Sequence, residues 1–209
     1  MPRPRVHDLG HVLDVAEELA VAAGPGAVTI RALSEATSVS NGALYNAFGS
    51  RAGLLGRAWL RAAEGFLALQ RDAVEQALGG RAGAADEATA VRAVIAAALC
   101  PALFFDQNPT SAQFLLTVPR DELLRSKEVP AELADQLRQL DKALVKIFIR
   151  LSSSLWDRRD KQAVALIRDC VVELPTALLL RGNRTADAAA RERLAAAVRA
   201  VLTIPPTTV

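Results

Sequence analysis

Three hydroxyl side chains, Thr29, Ser40 and Ser50, each stand just before a stretch of helix-forming residues, and together they set the scale of what the chain can build near its N-terminus. A serine or threonine in that place can accept a hydrogen bond from an unpaired N–H of the first helical turn, so each marks a helix start. After Thr29 the helix carries Ile30, Leu33 and Ala36 on one face and must stop by Thr37 and Ser38. After Ser40 the run "NGALYNAF" is broken by Gly49. The third cap opens "RAGLLGRAWLRAAEGFLALQRDAVEQAL", which meets no breaker stronger than glycine before about Leu78. Ahead of all three, Leu9, Val12, Leu13, Ala16, Leu19, Ala20 and Ala23 recur at threes and fours, the stripe of an amphipathic helix that Gly24, Pro25 and Gly26 end.

Further helices are expected over roughly 86–105, 109–118, 119–127, 130–155, 159–181 and 186–203, separated by Pro109, Pro119, Pro130, a turn at Trp156 to Arg158 and "GNRT". Pro101 and Pro175 fall inside two of them and should kink them. Alanine, leucine and arginine are abundant and β-branched residues rarely cluster, so propensity leans to helix nearly throughout. The expected fold is all-α: a small head over 1–52, joined through a long fourth helix to a larger helical domain over 53–209. Only the first few residues and the tail "PPTTV" read as disordered.

Several function classes drop away. The longest apolar run, Ala93 to Phe105, is too short to cross a bilayer and contains Pro101, and Asp8, Asp14, Glu17 and Glu18 spoil any signal-peptide reading, so a cytoplasmic protein without a membrane partner is expected. Cys100 and Cys170 sit among apolar neighbours and read as small buried side chains. The two histidines, His7 and His11, have no third metal ligand in sight, and neither a phosphate-binding glycine loop nor a metal-spaced cysteine pair occurs. No cofactor and no enzymatic activity are expected. A net charge of +2 permits nucleic-acid binding without arguing for it.

The case for DNA rests on the third helix. Two short helices joined by a tight turn, braced before and after, make a helix-turn-helix whose second helix can enter the major groove. Leu44, Phe48 and the preceding Val39 can face inward, leaving Asn41, Gly42, Ala43, Tyr45 and Asn46 mostly outside. Gly42 and Ala43 allow close approach to the phosphates, Asn41 offers both donor and acceptor to a base edge, and the chain's single tyrosine, Tyr45, puts a hydroxyl at the groove's rim. Thr29, Ser40, Asn46 and Arg51 can add phosphate contacts. Each residue singly also has a plain reading as a cap or a half-buried ring.

The run "VTIRALSEATSVSNGALYNAFGSRAGLL", residues 28–55, resembles the DNA-binding head of the tetracycline-repressor (TetR) family. The shared positions are Val39, Ser40, Gly42, Leu44, Tyr45, Phe48 and Arg51. Where that family usually has glycine in the turn this chain has Ser38, where it often has lysine it has Asn41, and where it often has proline before the fourth helix it has Gly49. Arg3 and Arg5 could reach DNA from an N-terminal arm. The resemblance implies a homodimeric regulator, more often a repressor, that binds an inverted-repeat operator in double-stranded DNA and is released by a small-molecule effector.

For the larger domain the resemblance implies effector binding and dimerisation. Stripes through Ile167, Val171, Leu174 and Leu178, and through Leu194, Val198 and Val201, could close a four-helix bundle across a two-fold axis, or could face the chain's own core. Candidate effector-pocket residues are Cys100, Phe104, Phe105, Phe114, Leu115, Phe148 and Trp156, set among aliphatic neighbours that suit an apolar or amphipathic molecule. The alternative is a helical dimer whose head binds a protein partner, or a regulator without an effector.

Overall fold

The computed structural model describes residues 9–80, 85–181 and 186–207, and every regular element among them is helical. The first four helices, α1 (Leu9–Ala23), α2 (Ile30–Thr37), α3 (Asn41–Phe48) and α4 (Arg51–Leu78), begin and end where caps and breakers require. Thr29 Oγ1 accepts from the Ala32 N–H at 3.1 Å, Ser40 Oγ from Ala43 at 3.2 Å, and Ser50 Oγ from Gly53 at 2.9 Å. Ser50 also donates to the Glu128 carbonyl at 2.8 Å, which ties the start of α4 to the loop before α8. Gly49 ends α3 with φ of 73°. Ser38 ends α2 in the left-handed region at φ 57°, ψ 18°, where a side chain carries a steric cost that glycine escapes.

The remaining helices are α5 (Glu87–Gln107), α6 (Pro109–Thr117), α7 (Arg120–Arg125), α8 (Ala131–Trp156), α9 (Lys161–Arg168) and α10 (Ala188–Leu202). Between α9 and α10 the helix carries on in wider π-type turns, Asp169–Glu173 and Thr176–Leu180. These flank Pro175, which has no N–H to donate and whose ring crowds the preceding turn. The disruption expected at that proline is thus met by loosened turns on both sides. Arg3, Arg5, His7 and the "GNRT" break lie outside the described residues.

The chain packs as two units. One takes in the residues up to Glu64 together with Asn108–Leu140, the other Gly65–Gln107 together with the residues from Asp141 on. The head is therefore the first part of a unit that also contains α6, α7 and the beginning of α8. Its interior holds Val12, Ala16, Ala20, Leu33, Leu44, Leu54 and Leu137, each nearly or wholly inaccessible.

In the second unit Val74, Leu78, Val94, Ala97, Ala98, Phe148, Leu151 and Cys170 form a common core. Ile167, Val171, Leu194 and Val198 belong to it as well. Within the single chain these four pack into its own interior, and Leu174, Leu178 and Val201 are half-buried against the same core. By length and composition α5 is apolar enough to cross a membrane, but half of its most apolar window is packed inside the protein, and the helix runs on through Pro101.

Candidate nucleic-acid interface

The turn between α2 and α3 is short, and the apolar residues on either side of it set the orientation of α3. Ile30 and Leu33 of α2, Val39 in the turn, and Leu44 and Phe48 of α3 are all buried. With that face fixed inward, helical geometry sends Asn41, Gly42, Tyr45 and Asn46 outward, and all four are exposed, with Ala43 at the margin. Tyr45 is 54 % exposed, unusual for a large aromatic side chain. A Cβ placed on Gly42 would meet nothing within 4 Å. The chain's own packing therefore does not require a glycine there.

Thr29 and Ser40 serve as caps and are exposed. Each hydroxyl accepts one N–H and keeps its own proton to donate. Arg51, expected as a phosphate contact, makes two hydrogen bonds within the head. Its Nε donates to the Val28 carbonyl at 2.5 Å and its Nη2 to the Pro25 carbonyl. The guanidinium thus clamps the one-turn 3₁₀ segment Pro25–Ala27, between α1 and α2, to the first turn of α4. Sequence reading missed this because nothing local marks which carbonyls a basic residue will meet some two dozen positions away.

A second brace lies in the same unit. Glu17 of α1 is 2 % exposed, and its carboxylate accepts from Arg61 Nη2 of α4 at 2.6 Å and from the Ser111 hydroxyl of α6 at 2.5 Å. Arg61 also reaches Asp14 at 2.7 Å and the Gly10 carbonyl at 3.1 Å. Burial works against the charge on Arg61, but its hydrogen bonds to Glu17 and Asp14 prevail and hold its pKa above the ordinary value. A hollow of about 240 Å³ opens beside this cluster, lined by Asp14, Glu17, Glu18 and residues 108–111. Two of its three carboxylates are already committed to Arg61.

The candidate effector residues divide between the units. Cys100, Phe104 and Phe148 are buried in the second, and Phe105 and Trp156 are half-buried there. Phe114, fully buried, and half-buried Leu115 belong to the first. Burial pushes the thiols of both Cys100 and Cys170 up to about 12. Among the described residues no group of His, Cys, Asp and Glu could hold a metal ion. One polar residue of the second unit's core escaped sequence reading: Gln70, 1 % exposed, on the α4 stripe between Leu67 and Val74. A glutamine inside an apolar stripe was the available signal.

Residues 12–58 match the model of the family described as "Bacterial regulatory proteins, tetR family". Among solved structures the chain is similar to the TetR family transcriptional regulator PfmR from Thermus thermophilus at 21 % identity and TM-score 0.59, over 92 % of this chain and 97 % of that one. It is also similar to a putative tetR family transcription regulator from Shewanella sp. PV-4, at 17 % identity and TM-score 0.58, over 91 % and 95 %. A third likeness is to the ketosteroid transcriptional regulator KstR2 of Mycobacterium tuberculosis, at 14 % identity and TM-score 0.56, over 96 % and 95 %. At these identities the likeness is one of fold. A comparison with curated proteins gives no match.

Proposed function

For a chain whose residues 12–58 match the tetR family of bacterial regulatory proteins, we propose the role of a DNA-binding transcriptional regulator with the following division of labour. Two copies of the chain bind an inverted-repeat operator as a homodimer, each placing α3 in a major groove about one DNA turn from the other. The observation that carries this is the asymmetry of α3: Leu44 and Phe48 are locked inward, while Asn41, Gly42, Tyr45 and Asn46 form an exposed face whose glycine is spare to the chain itself.

In this reading Asn41 meets a base edge, Gly42 and Ala43 let the helix seat deeply, and Tyr45, Asn46, Thr29 and Ser40 donate to phosphate oxygens. Arg51 supports them from behind. Leu174, Leu178 and Val201, half-buried at the edge of the second unit's core, supply part of the contact between copies. The protein works in the cytoplasm as a repressor that a small, mainly apolar effector bound in the second unit releases from DNA.

Selection of genomic fragments by the purified protein, followed by gel-shift titration at several salt concentrations and sedimentation without DNA, tests the scheme. The expected result is a dimer that selects a palindrome with salt-sensitive affinity. A monomer at micromolar concentration, or binding indifferent to salt and sequence, overturns it. Asn41→Ala should alter the selected bases, with about 1–3 kcal/mol lost at the contacted position, while Tyr45→Phe should weaken all sequences alike.

A further inference from the structure

The helix α3 hangs from the first turn of α4, and the join leaves it little freedom. Only Gly49 and Ser50 separate Phe48 from Arg51, and the Gly49 N–H donates to the Tyr45 carbonyl and the Ser50 N–H to the Phe48 carbonyl, both at 2.8 Å. A Cβ on Gly53 would stand 2.3 Å from that same Phe48 oxygen, closer than a side-chain carbon comes, so the end of α3 lies directly on the first turn of α4. Wherever that turn points, α3 is carried with it.

The same turn meets a second segment, 78 positions further along the chain. While Ser50 Oγ accepts the Gly53 N–H at 2.9 Å as the cap of α4, it donates to the Glu128 carbonyl at 2.8 Å. A Cβ on Gly53 would also lie 3.4 Å from Pro130 Cδ, and one turn on, a Cβ on Gly56 would lie 3.0 Å from Leu133 Cδ2 and 3.9 Å from Val129 Cγ1. Val129 and Leu133 are buried. Glycine weakens a helix, so two of them on one face of α4 call for a reason, and the close approach of the loop before α8 is one. All these residues belong to the first unit.

We propose that residues 126–133 are the backstop that sets the angle of α3, and that Ser50 is the positioning residue through which the backstop acts. The inference rests on the reading of α3 as the helix that enters the groove. A cap needs only an acceptor, so the proton given to Glu128 is a second task, and it ties the first turn of α4 to a loop that lies outside the helix-turn-helix. Held on both sides, α3 is presented at one angle. In a dimer that angle enters the distance and rotation between the two copies of α3, so the backstop decides which half-site spacing the protein accepts.

Spacing is therefore the quantity to read. The probes are the palindrome that the unaltered protein selects from genomic fragments and versions with one base pair added or removed at its centre, each of which shifts the half-sites by about 3.4 Å and turns them by about 35°. The unaltered full-length protein should favour the selected spacing by at least about tenfold. Ser50→Gly removes the bond to Glu128 while glycine remains a tolerable cap, and in that variant, folded by circular dichroism, the preference should narrow to about threefold or less at an unchanged salt slope. Ser50→Thr, which keeps both acceptor and donor, should restore the preference. Gly56→Val, which drives a side chain against Leu133 and leaves Ser50 alone, should narrow it as Ser50→Gly does.

Hydrogen exchange of the same proteins without DNA supplies an arm independent of the regulator reading. Amides over 41–56 and over 128–134 should exchange faster together in Ser50→Gly and in Gly56→Val, with those of α5 unchanged. A spacing preference that is missing from the unaltered protein or survives Ser50→Gly, a Ser50→Thr variant that behaves like Ser50→Gly, or α3 exchange indifferent to both variants overturns the backstop. So does a loss equal at every spacing with a flattened salt slope, which would make Ser50 a phosphate contact. Failure of the unaltered protein to select any palindrome, with the exchange coupling present, sinks the regulator reading and leaves the backstop.

Discussion

Replacing Arg51 by alanine distinguishes a phosphate contact from a brace within the head. Its hydrogen bonds run to the carbonyls of Val28 and Pro25, the residues that lead into the Thr29 cap and α2. A hydrogen bond from a charged donor contributes about 1.5–3 kcal/mol when protected, and Arg51 is half-buried, so losing both should cost about 2 kcal/mol of stability in the first unit. DNA affinity should fall as the α2–α3 pair loosens. The salt dependence should not change, because the number of neutralised phosphates is the same. Were Arg51 a phosphate contact, its loss from both subunits of a dimer would flatten the plot of log affinity against log salt by about 1.8, from a slope of about 0.9 per phosphate. Gel-shift titrations from low to moderate salt, paired with thermal melts, read both quantities. A slope reduced by nearly two with an unchanged melting temperature would refute the clamp and restore the phosphate contact.

Ser38→Gly should stabilise the protein by about 0.5–1 kcal/mol, because relief of the left-handed strain outweighs the extra freedom glycine brings to the unfolded chain, and a lower melting temperature would contradict this. Glu17→Leu should cost about 3 kcal/mol, near the low end for a broken buried pair since Arg61 is 37 % exposed, and should appear as a clearly lower denaturant midpoint at unchanged slope. The Asp160 carboxyl, which caps α9 and is hydrogen-bonded by Arg158, is held down to about 2 from an ordinary 3.8. Its contribution to stability is therefore complete above about pH 4 and lost as pH falls toward about 2, so the stability difference between the native protein and Asp160→Asn should shrink over that window. Both thiols, raised by burial, should resist alkylation at neutral pH in the folded protein and react once it is unfolded.

The helices were legible where the signal is local. Caps at Thr29, Ser40 and Ser50 and breakers at Gly24 and Gly49 placed the ends of α1 to α4, because capping is a contact between a side chain and a backbone N–H three residues on. The outward face of α3 was legible for the same reason: the positions of Leu44 and Phe48 determine the rest by geometry. The stripes through Ile167 and Leu194 show where this stops. Periodicity says that a helix has an apolar face, but a chain's own core and a partner's surface ask for the same residues. Only the packing shows that the most apolar positions face inward, with Leu174, Leu178 and Val201 partly buried against the same core.

Three side chains whose internal contacts the sequence did not announce, Arg51, Glu17 and Gln70, share one property: their partners lie far along the chain. Arg51 answers carbonyls at 25 and 28, Glu17 answers Arg61 and Ser111, and Gln70 answers a carbonyl at 97. Of these only the last had a cause visible in the sequence. A proline inside a helix always takes an N–H from the carbonyl four residues before it, and if that carbonyl is buried a donor must come from elsewhere. Pro101 in the apolar run of α5 therefore calls for a polar side chain on a neighbouring helix, and Gln70 is the glutamine that interrupts the apolar stripe of α4. The pairing can be checked by stability: Gln70→Met should be distinctly less costly in the Pro101→Ala background than alone, by about 1 kcal/mol, because the helix then supplies the missing donor itself. Equal costs in the two backgrounds would mean that proline and glutamine are neighbours without being coupled.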